Sequence, residues 1–338
     1  MYVFGTQNLL SARTCRFESG LGHQPMADDP DLYGVYAPVL TPFTGDGAVD
    51  PRLFSGFCRW LNKAGVGLAV FGTNSEANSL TVEEKITLLN ALRSAGIEGS
   101  ALMPGTGALA IGDAVRLTRA ALDVGAAAVL VLPPFYYKPV GEDGLLAYYS
   151  ELVQRVGNTA LKVVLYHIPR LTGVPITPGL VEQLLKAYPQ TFVGIKDSSN
   201  DIANTAMMIR SFPGLRIFAG SDEWLLEAMR LGGQGCISAT ANVNPAAIVA
   251  LRRNWRSDKA EAEQAGLTKV RRIFEAYPMI AALKAAAAHH GGAASFAMTR
   301  VPLLPLKPDL REKLIAELDG HGFAMPGLAA SLRAAISG

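Results

Sequence analysis

From Gly34 onward the chain alternates a short apolar run with a longer amphipathic stretch, and it does so eight times. That rhythm narrows the fold more than any other feature. A repeated strand-then-helix order implies a parallel sheet flanked by helices, because each return to the sheet needs a helical crossover. The apolar runs lie at 35–42, 67–73, 101–105, 127–133, 162–168, 192–197, 216–221 and 235–240. Each is followed by a helix-type segment. At 82–94 the segment is opened by Thr81 with Glu84 three residues on, a capping-box signature. Eight such units over about 220 residues match a closed α/β barrel, the (β/α)8 TIM barrel, better than an open doubly wound sheet. After about residue 256 the periodicity is helical throughout, with alanine-rich runs such as 281–288. We therefore expect a catalytic barrel over 30–255 and a C-terminal helical bundle over 256–338. With no low-complexity linker between them, the two should pack tightly. Residues 1–29 are polar and aperiodic, and Met26 lies just before the first strand run, so 1–29 reads as a leader that is disordered or not translated in nature.

The chain is 49% hydrophobic and 18% charged, with a formal net charge of +2, the profile of a soluble globular protein. Lys and Arg are mixed with Asp and Glu along the chain, without the clustered basic stripe of a nucleic-acid-binding protein. No apolar run reaches the roughly 20 residues that span a bilayer, and the first residues lack a signal peptide's basic start and apolar core. Cys15, Cys58 and Cys236 are an odd, scattered set without a CxxC, which suits a reducing cytoplasm and neither a disulfide framework nor a zinc site. Small-molecule chemistry is the expected business of such a chain.

In a barrel the working residues stand at the C-terminal ends of the strands. The polar residues there include Thr73, Asn74 and Ser75 after the second strand, Tyr136 and Tyr137 after the fourth, Tyr166 on the fifth, Lys196 on the sixth, and Ser221 and Asp222 after the seventh. Lys196 is the most informative. Alternation places Gly194 and Lys196 on one face and Val193 and Ile195 on the other, so Lys196 points into the barrel. An amine there is partly desolvated, which favours its neutral, nucleophilic form. The alternative is a lysine paired with an acid such as Asp197 or reaching to the rim. Tyr166, taken alone, reads as a core tyrosine with a satisfied hydroxyl before it reads as a catalyst, and the run 73–76 is equally compatible with a helix-capping turn. Together, a nucleophile, a phenol and a hydroxyl/amide turn at neighbouring strand ends form the set that imine chemistry on a 2-keto acid requires.

Six segments then carry a resemblance: Gly72-Thr73-Asn74-Ser75-Glu76, Pro134-Phe135-Tyr136-Tyr137, Tyr166-His167-Ile168-Pro169, Gly194-Ile195-Lys196-Asp197, Gly220-Ser221-Asp222, and Gly235-Cys236-Ile237-Ser238-Ala239-Thr240-Ala241-Asn242. In this order the chain resembles, over about 34–305, the dihydrodipicolinate synthase/N-acetylneuraminate lyase superfamily of class I pyruvate-dependent aldolases. The resemblance implies that Lys196 forms the imine and Tyr166 shuttles protons. It implies that Thr73 links Tyr166 to Tyr137, which in relatives reaches a neighbouring subunit's site, hence a homotetramer built as a dimer of dimers. It also implies that Asn74 and Ser75 cradle the keto acid's carboxylate, and that Gly220 and Ile237 line the pocket. The partners would be a small 2-keto acid and an aldehyde, with no metal or organic cofactor. Two departures stand out. Relatives usually carry glycine at Ser75 and a second hydroxyl residue at Asn74. Dihydrodipicolinate synthases carry an arginine two positions after the proline of the fifth strand's motif, where this chain has Leu171, with Arg170 one residue early. The run 166–173 is more similar to that of the sugar-acid lyases and keto-deoxy sugar-acid aldolases, so cleavage of a 2-keto-3-deoxy sugar acid is expected over condensation of pyruvate with aspartate semialdehyde.

Three other readings compete. Gly105-Thr106-Gly107-Ala108-Leu109-Ala110 matches a dinucleotide fingerprint on paper, but the next strand run ends without the acidic residue that would hold a ribose, so we read a tight turn. A metal-dependent aldolase needs clustered His and carboxylate ligands, which His23, His167, His289, His290 and His321 do not supply by position. His167 should face away from Tyr166, between sheet and helices. A non-catalytic keto-acid sensor would need neither Lys196 nor Tyr166.

Overall fold

The computed structural model describes Leu32 and residues 34–337, so the expected leader at 1–29 lies outside the described residues. Seven strands form one all-parallel sheet: β1 (Gly34–Ala37), β2 (Gly67–Leu68), β3 (Val129–Val131), β4 (Val163–His167), β5 (Phe192–Asp197), β6 (Arg216–Ala219) and β7 (Gly235–Ile237). Their order is β2-β1-β7-β6-β5-β4-β3. The segment 102–105 fills the gap between β2 and β3. The amides of Met103 and Gly105 donate to the carbonyls of Leu68 and Val70 at 3.0 and 2.7 Å, while Leu130 donates to Pro104 at 2.8 Å and Thr106 to Leu130 at 3.0 Å. The ring is thereby closed, and the fold is a (β/α)8 barrel. The closing segment is irregular because Pro104 has no N–H to give the ladder.

Except at β5, strand-ladder pairing ends earlier than the apolar runs do. At three ends the chain leaves the barrel in a 3-10 turn, at Thr73–Ser75, Asp222–Trp224 and Ala239–Asn242. Around the barrel run α1 (Pro51–Lys63), α2 (Val82–Ser94), α3 (Ile111–Asp123), α4 (Glu142–Val156), the single turn α5 (Pro169–Thr172), α6 (Pro178–Ala187), α7 (Ile202–Ser211), α8 (Leu225–Leu231) and α9 (Pro245–Asn254). The capping box of α2 forms, with Thr81 Oγ1 accepting from the Glu84 amide and Glu84 Oε2 from the Thr81 amide.

Inside the barrel, Tyr36, Met103, Leu130, Val164, Tyr166, Val193, Phe218 and Ile237 pack together. Val193 corrects the strict alternation expected of β5. Val163 pairs with Phe192 but Val164 with Gly194, so Val193 is the extra residue of a bulge. It turns inward, while Phe192 and Ile195 face the helix layer. Beyond the bulge alternation resumes, and Lys196 is directed inward as expected.

Four helices follow the barrel: α10 (Ala260–Glu275), α11 (Met279–Gly291), α12 (Pro308–Gly320) and α13 (Leu328–Ser337). Their buried residues Leu267, Phe274, Leu283, Leu314 and Leu332 belong to the same apolar cluster as Phe54, Phe57 and Leu61 of α1. Trp60 donates its indole N–H to the Pro326 carbonyl at 2.9 Å, and Ser331 its hydroxyl to Gly56 at 2.8 Å. No helix among the described residues is long and apolar enough to cross a membrane.

The β1–β7 seam needs Gly235, whose φ is +142° and whose hypothetical Cβ would collide with the Gly34 carbonyl. Gly235→Ala is expected to cost roughly 2–4 kcal/mol, the range for forcing a side chain into a disallowed backbone state with a clash. Denaturant midpoints measure it, and a change below about 0.5 kcal/mol would mean the seam relaxes freely.

Candidate active site

Pairing of β4 with β5 sets Tyr166 beside Lys196, and pairing of β5 with β6 sets Lys196 beside Phe218. Lys196 is 2% exposed, and its Nζ lies 4.1 Å from the centre of the Tyr166 ring. It makes no hydrogen bond or ion pair among the described residues. The acid that sequence offers it, Asp197, is fully engaged elsewhere. Asp197 Oδ1 accepts from the Ser199 amide at 2.9 Å, and Oδ2 from Asn204 Nδ2 at 2.9 Å and Thr205 Oγ1 at 2.7 Å. Lys196 is thus a buried amine with an aromatic neighbour and no counter-ion.

Tyr166 is 4% exposed, and its hydroxyl lies 3.0 Å from Thr73 Oγ1, so the phenol and the hydroxyl share a proton path. Thr73 sits on the turn Thr73–Ser75, which is anchored from below. Thr41 Oγ1 donates to the Ser75 carbonyl at 2.8 Å. Ser75, expected to cradle substrate, is fully buried, and its hydroxyl accepts from the Gly72 amide at 3.1 Å. It does not line the pocket; the hydroxyl that replaces a hydrogen here is used to close its own turn. Asn74, half-buried on the same turn, does line the pocket, and its side chain has no hydrogen-bond partner among the described residues.

The pocket is a cavity of about 350 Å³ over the C-terminal ends of β4, β5, β6 and β7. It brings together Thr73, Asn74, Tyr166, Arg170, Leu171, Lys196, Gly220 and Ile237 of the expected set. Tyr137 is not among its walls. It lies 82% exposed on the loop after β3, edge-on to Tyr136 at 5.4 Å. Arg170 and Leu171 both line the pocket, as successive residues of a strand, which point to opposite faces, would not. The reason is that 169–172 is a helical turn, with the Leu171 and Thr172 amides both bonded to the Ile168 carbonyl at 3.1 Å. Neither residue is constrained by a strand, and Arg170 has no ion-pair partner among the described residues.

Sequence reasoning passed over the far wall, where Trp224, Arg271, Glu275 and Met279 line the cavity. Arg271 Nη1 bonds Asp222 Oδ1 at 3.0 Å and Ser238 Oγ at 3.3 Å, and its Nε bonds Glu275 at 2.8 Å. Ser238 and Thr240 also donate to Asp222. A signal was present: on α10 the buried positions are Ala260, Leu267, Arg271 and Phe274, so a cation sits on the apolar stripe. The glycines of the apparent dinucleotide fingerprint serve close backbone approach. A Cβ on Gly105 would collide with the Phe71 carbonyl, and one on Gly107 with the Leu132 amide. No group of three or more His, Cys, Asp or Glu side chains stands together for a metal among the described residues.

His167 lies behind the site, 5% exposed, with Nδ1 accepting from the Ile176 amide at 3.0 Å and Nε2 4.0 Å from Asp197. Burial holds its pKa below the ordinary 6.5, outweighing the opposing pull of Asp197. A base whose folded pKa is depressed is protonated first in the unfolded chain, so its contribution is complete above about 6.5 and is lost as pH falls below it. Thermal stability should therefore drop between pH 7 and pH 5, and His167→Asn, which keeps an acceptor for Ile176, should flatten that slope. An unchanged slope would assign the acid sensitivity to other groups.

Residues 31–320 match the dihydrodipicolinate synthetase family. An uncharacterised DapA-like lyase of Chloroflexus aurantiacus is 39% identical over 81% of this chain and 91% of its own. The putative 2-dehydro-3-deoxy-D-gluconate aldolase YagE of Escherichia coli K12 is 33% identical over 68% of this chain and 76% of its own. Its crystal structure with pyruvate superposes with a TM-score of 0.80 over 87% of this chain and 99% of that one, at 28% identity. The dihydrodipicolinate synthase of Agrobacterium tumefaciens superposes with a TM-score of 0.79 over 85% and 99%, at 29% identity.

Proposed function

The chain belongs to the dihydrodipicolinate synthetase family and is a lyase of the class I aldolase type, and from that premise we propose that it cleaves a 2-keto-3-deoxy sugar acid reversibly to pyruvate and an aldehyde. The observation that carries the chemistry is the buried, unpaired amine of Lys196 beside the Tyr166–Thr73 hydroxyl pair. Lys196 Nζ adds to the ketone carbon, and the carbinolamine loses water as Tyr166 delivers a proton to the leaving hydroxyl. The protonated imine then accepts the electron pair of the C3–C4 bond while the C4 hydroxyl gives its proton to the phenoxide left on Tyr166. The aldehyde departs and an enamine remains. Protonation of that enamine at C3 and hydrolysis of the imine release pyruvate and restore the amine. Asn74, with its amide unengaged, is the residue we assign to the keto acid's carboxylate.

The polar far wall supports a hydroxylated aldehyde half, since Asn200, Ser221 and Glu275 offer donors and acceptors there. The relationship to YagE favours the same class. One observation favours the alternative, condensation of pyruvate with aspartate semialdehyde: Arg170 lines the pocket without an ion-pair partner, and a guanidinium is the strong partner for a carboxylate. Exposure of Tyr136 and Tyr137 supports an interface with another copy, and we propose a homotetramer. The free, buried Cys58 and Cys236 support a cytoplasmic location.

Pyruvate with borohydride should leave a stable covalent adduct on Lys196, absent from Lys196→Ala. Tyr166→Phe should still trap, slowly, with turnover reduced by about 10²–10⁴-fold, the usual worth of a positioned acid–base group. Trapping that survives in Lys196→Ala would remove the imine from the mechanism.

The choice of aldehyde is read from kcat/KM at fixed pyruvate, for aspartate semialdehyde against hydroxylated aldehydes. A hydroxylated aldehyde is expected to win. A clear preference for aspartate semialdehyde that Arg170→Ala abolishes would establish the synthase instead.

A further inference from the structure

The C-terminal helices place a second buried lysine directly beneath the site. Lys284 of α11 is fully buried, and its Nζ donates to the Thr41 carbonyl at 2.8 Å and to Glu76 Oε1 at 2.5 Å, over the ring of Phe43. Glu76 is 3% exposed and caps the turn Thr73–Ser75 in the left-handed conformation, with φ of 57°. Its other oxygen accepts from the Arg300 amide at 2.8 Å. Arg300 in turn holds Glu84 and the carbonyls of Gly47 and Ser79. Both bonds of Lys284 close on the segments that support Thr73, one at Thr41 and one at Glu76. Lys284 grips the Thr41 carbonyl while the Thr41 hydroxyl grips the Ser75 carbonyl, and Glu76 is the residue at which the turn reverses.

A left-handed glutamate is costly unless its surroundings over-determine it. A fully buried ammonium is also costly unless paired. Each offsets the other's cost, and the product of the exchange is the position of Thr73 against Tyr166.

We propose that Lys284 and Glu76 are positioning residues of the reaction, through which the C-terminal helices hold Thr73 at hydrogen-bond distance from the Tyr166 hydroxyl. The inference rests on the lyase reading, and it concerns residues that touch no substrate. Neither lines the pocket, so their influence on rate passes through the turn alone.

The test is a double-mutant cycle against Thr73→Val, read as exchange of pyruvate methyl protons for deuterium in heavy water, which needs pyruvate and no aldehyde. Lys284→Met should lower the exchange rate constant by about 10–100-fold, the scale of a displacement near 1 Å in a catalytic contact. In the Thr73→Val background the same change should cost less than about threefold, because the contact it positions is already gone. Since Lys284→Met strands a buried carboxylate and can unfold the chain, the paired variant Lys284→Met/Glu76→Leu runs in parallel. Removing both charges is often neutral for stability. It should melt near the parent temperature while keeping the loss of rate. Equal losses in both Thr73 backgrounds, or recovery of rate along with stability in the paired variant, would overturn the proposal. Borohydride trapping of the parent keeps the two readings apart: no adduct on Lys196 defeats the lyase reading, whereas a normal adduct with an additive cycle defeats only the positioning role.

Discussion

Among the described residues, Lys196 is an amine buried inside the barrel with no carboxylate partner, and most of the local architecture can be understood from that constraint. A carboxylate in contact would tie the nitrogen into an ion pair and keep it from a substrate carbonyl. The adjacent Asp197 is kept out of reach by three donors supplied by Ser199, Asn204 and Thr205, so it serves the start of α7 instead of the amine. The other carboxylate at the strand ends, Asp222, is neutralised by Arg271 and two hydroxyls. What remains beside Lys196 is an aromatic face and a phenolic hydroxyl, which stabilise a cation weakly and exchange protons readily. The barrel's acids are present in the motifs, but each is diverted.

The Tyr166–Thr73 pair is legible only through the family resemblance; reading the sequence reaches the barrel and the inward amine, because these follow from period-two patterning and from the rule that strand ends carry the site. It fails where backbone geometry departs from the regular element. Val193 is inward because one extra residue enters β5, and nothing in the run Phe192-Val193-Gly194 distinguishes a bulge from plain alternation except Gly194, a weak sign. Leu171 and Arg170 share a pocket because the chain turns helical at Pro169, a residue favoured at the first position of a helix. Ser75 has the chemistry of a ligand and the location of a brace. A hydroxyl three residues after Gly72 can point either way, and only the closed 3-10 turn decides it.

Three of the remaining omissions share one cause. Arg271, Glu275 and Met279 come from α10 and the start of α11, beyond the barrel, and a search confined to strand ends cannot find them. Charge on an apolar helical stripe would have pointed to Arg271, as would a lysine inside the alanine-rich run of α11 for Lys284.

Those two cations also bear on what counts as a unit of this fold. The (β/α)8 topology is complete at α9, and a division at about residue 255 is natural if strands and helices are counted. Two buried ion pairs cross that division. Asp222 and Glu76 are both buried in the barrel, and the guanidinium and ammonium that pair with them both belong to the later helices. Leaving a buried carboxylate without its partner costs about 3–5 kcal/mol, and two such sites approach the whole stability of an ordinary domain. The apolar face of α1 needs the same helices, since Trp60 and Gly56 are bonded to the segment around α13. The barrel and its extension are therefore joined by two buried ion pairs and by the apolar face of α1.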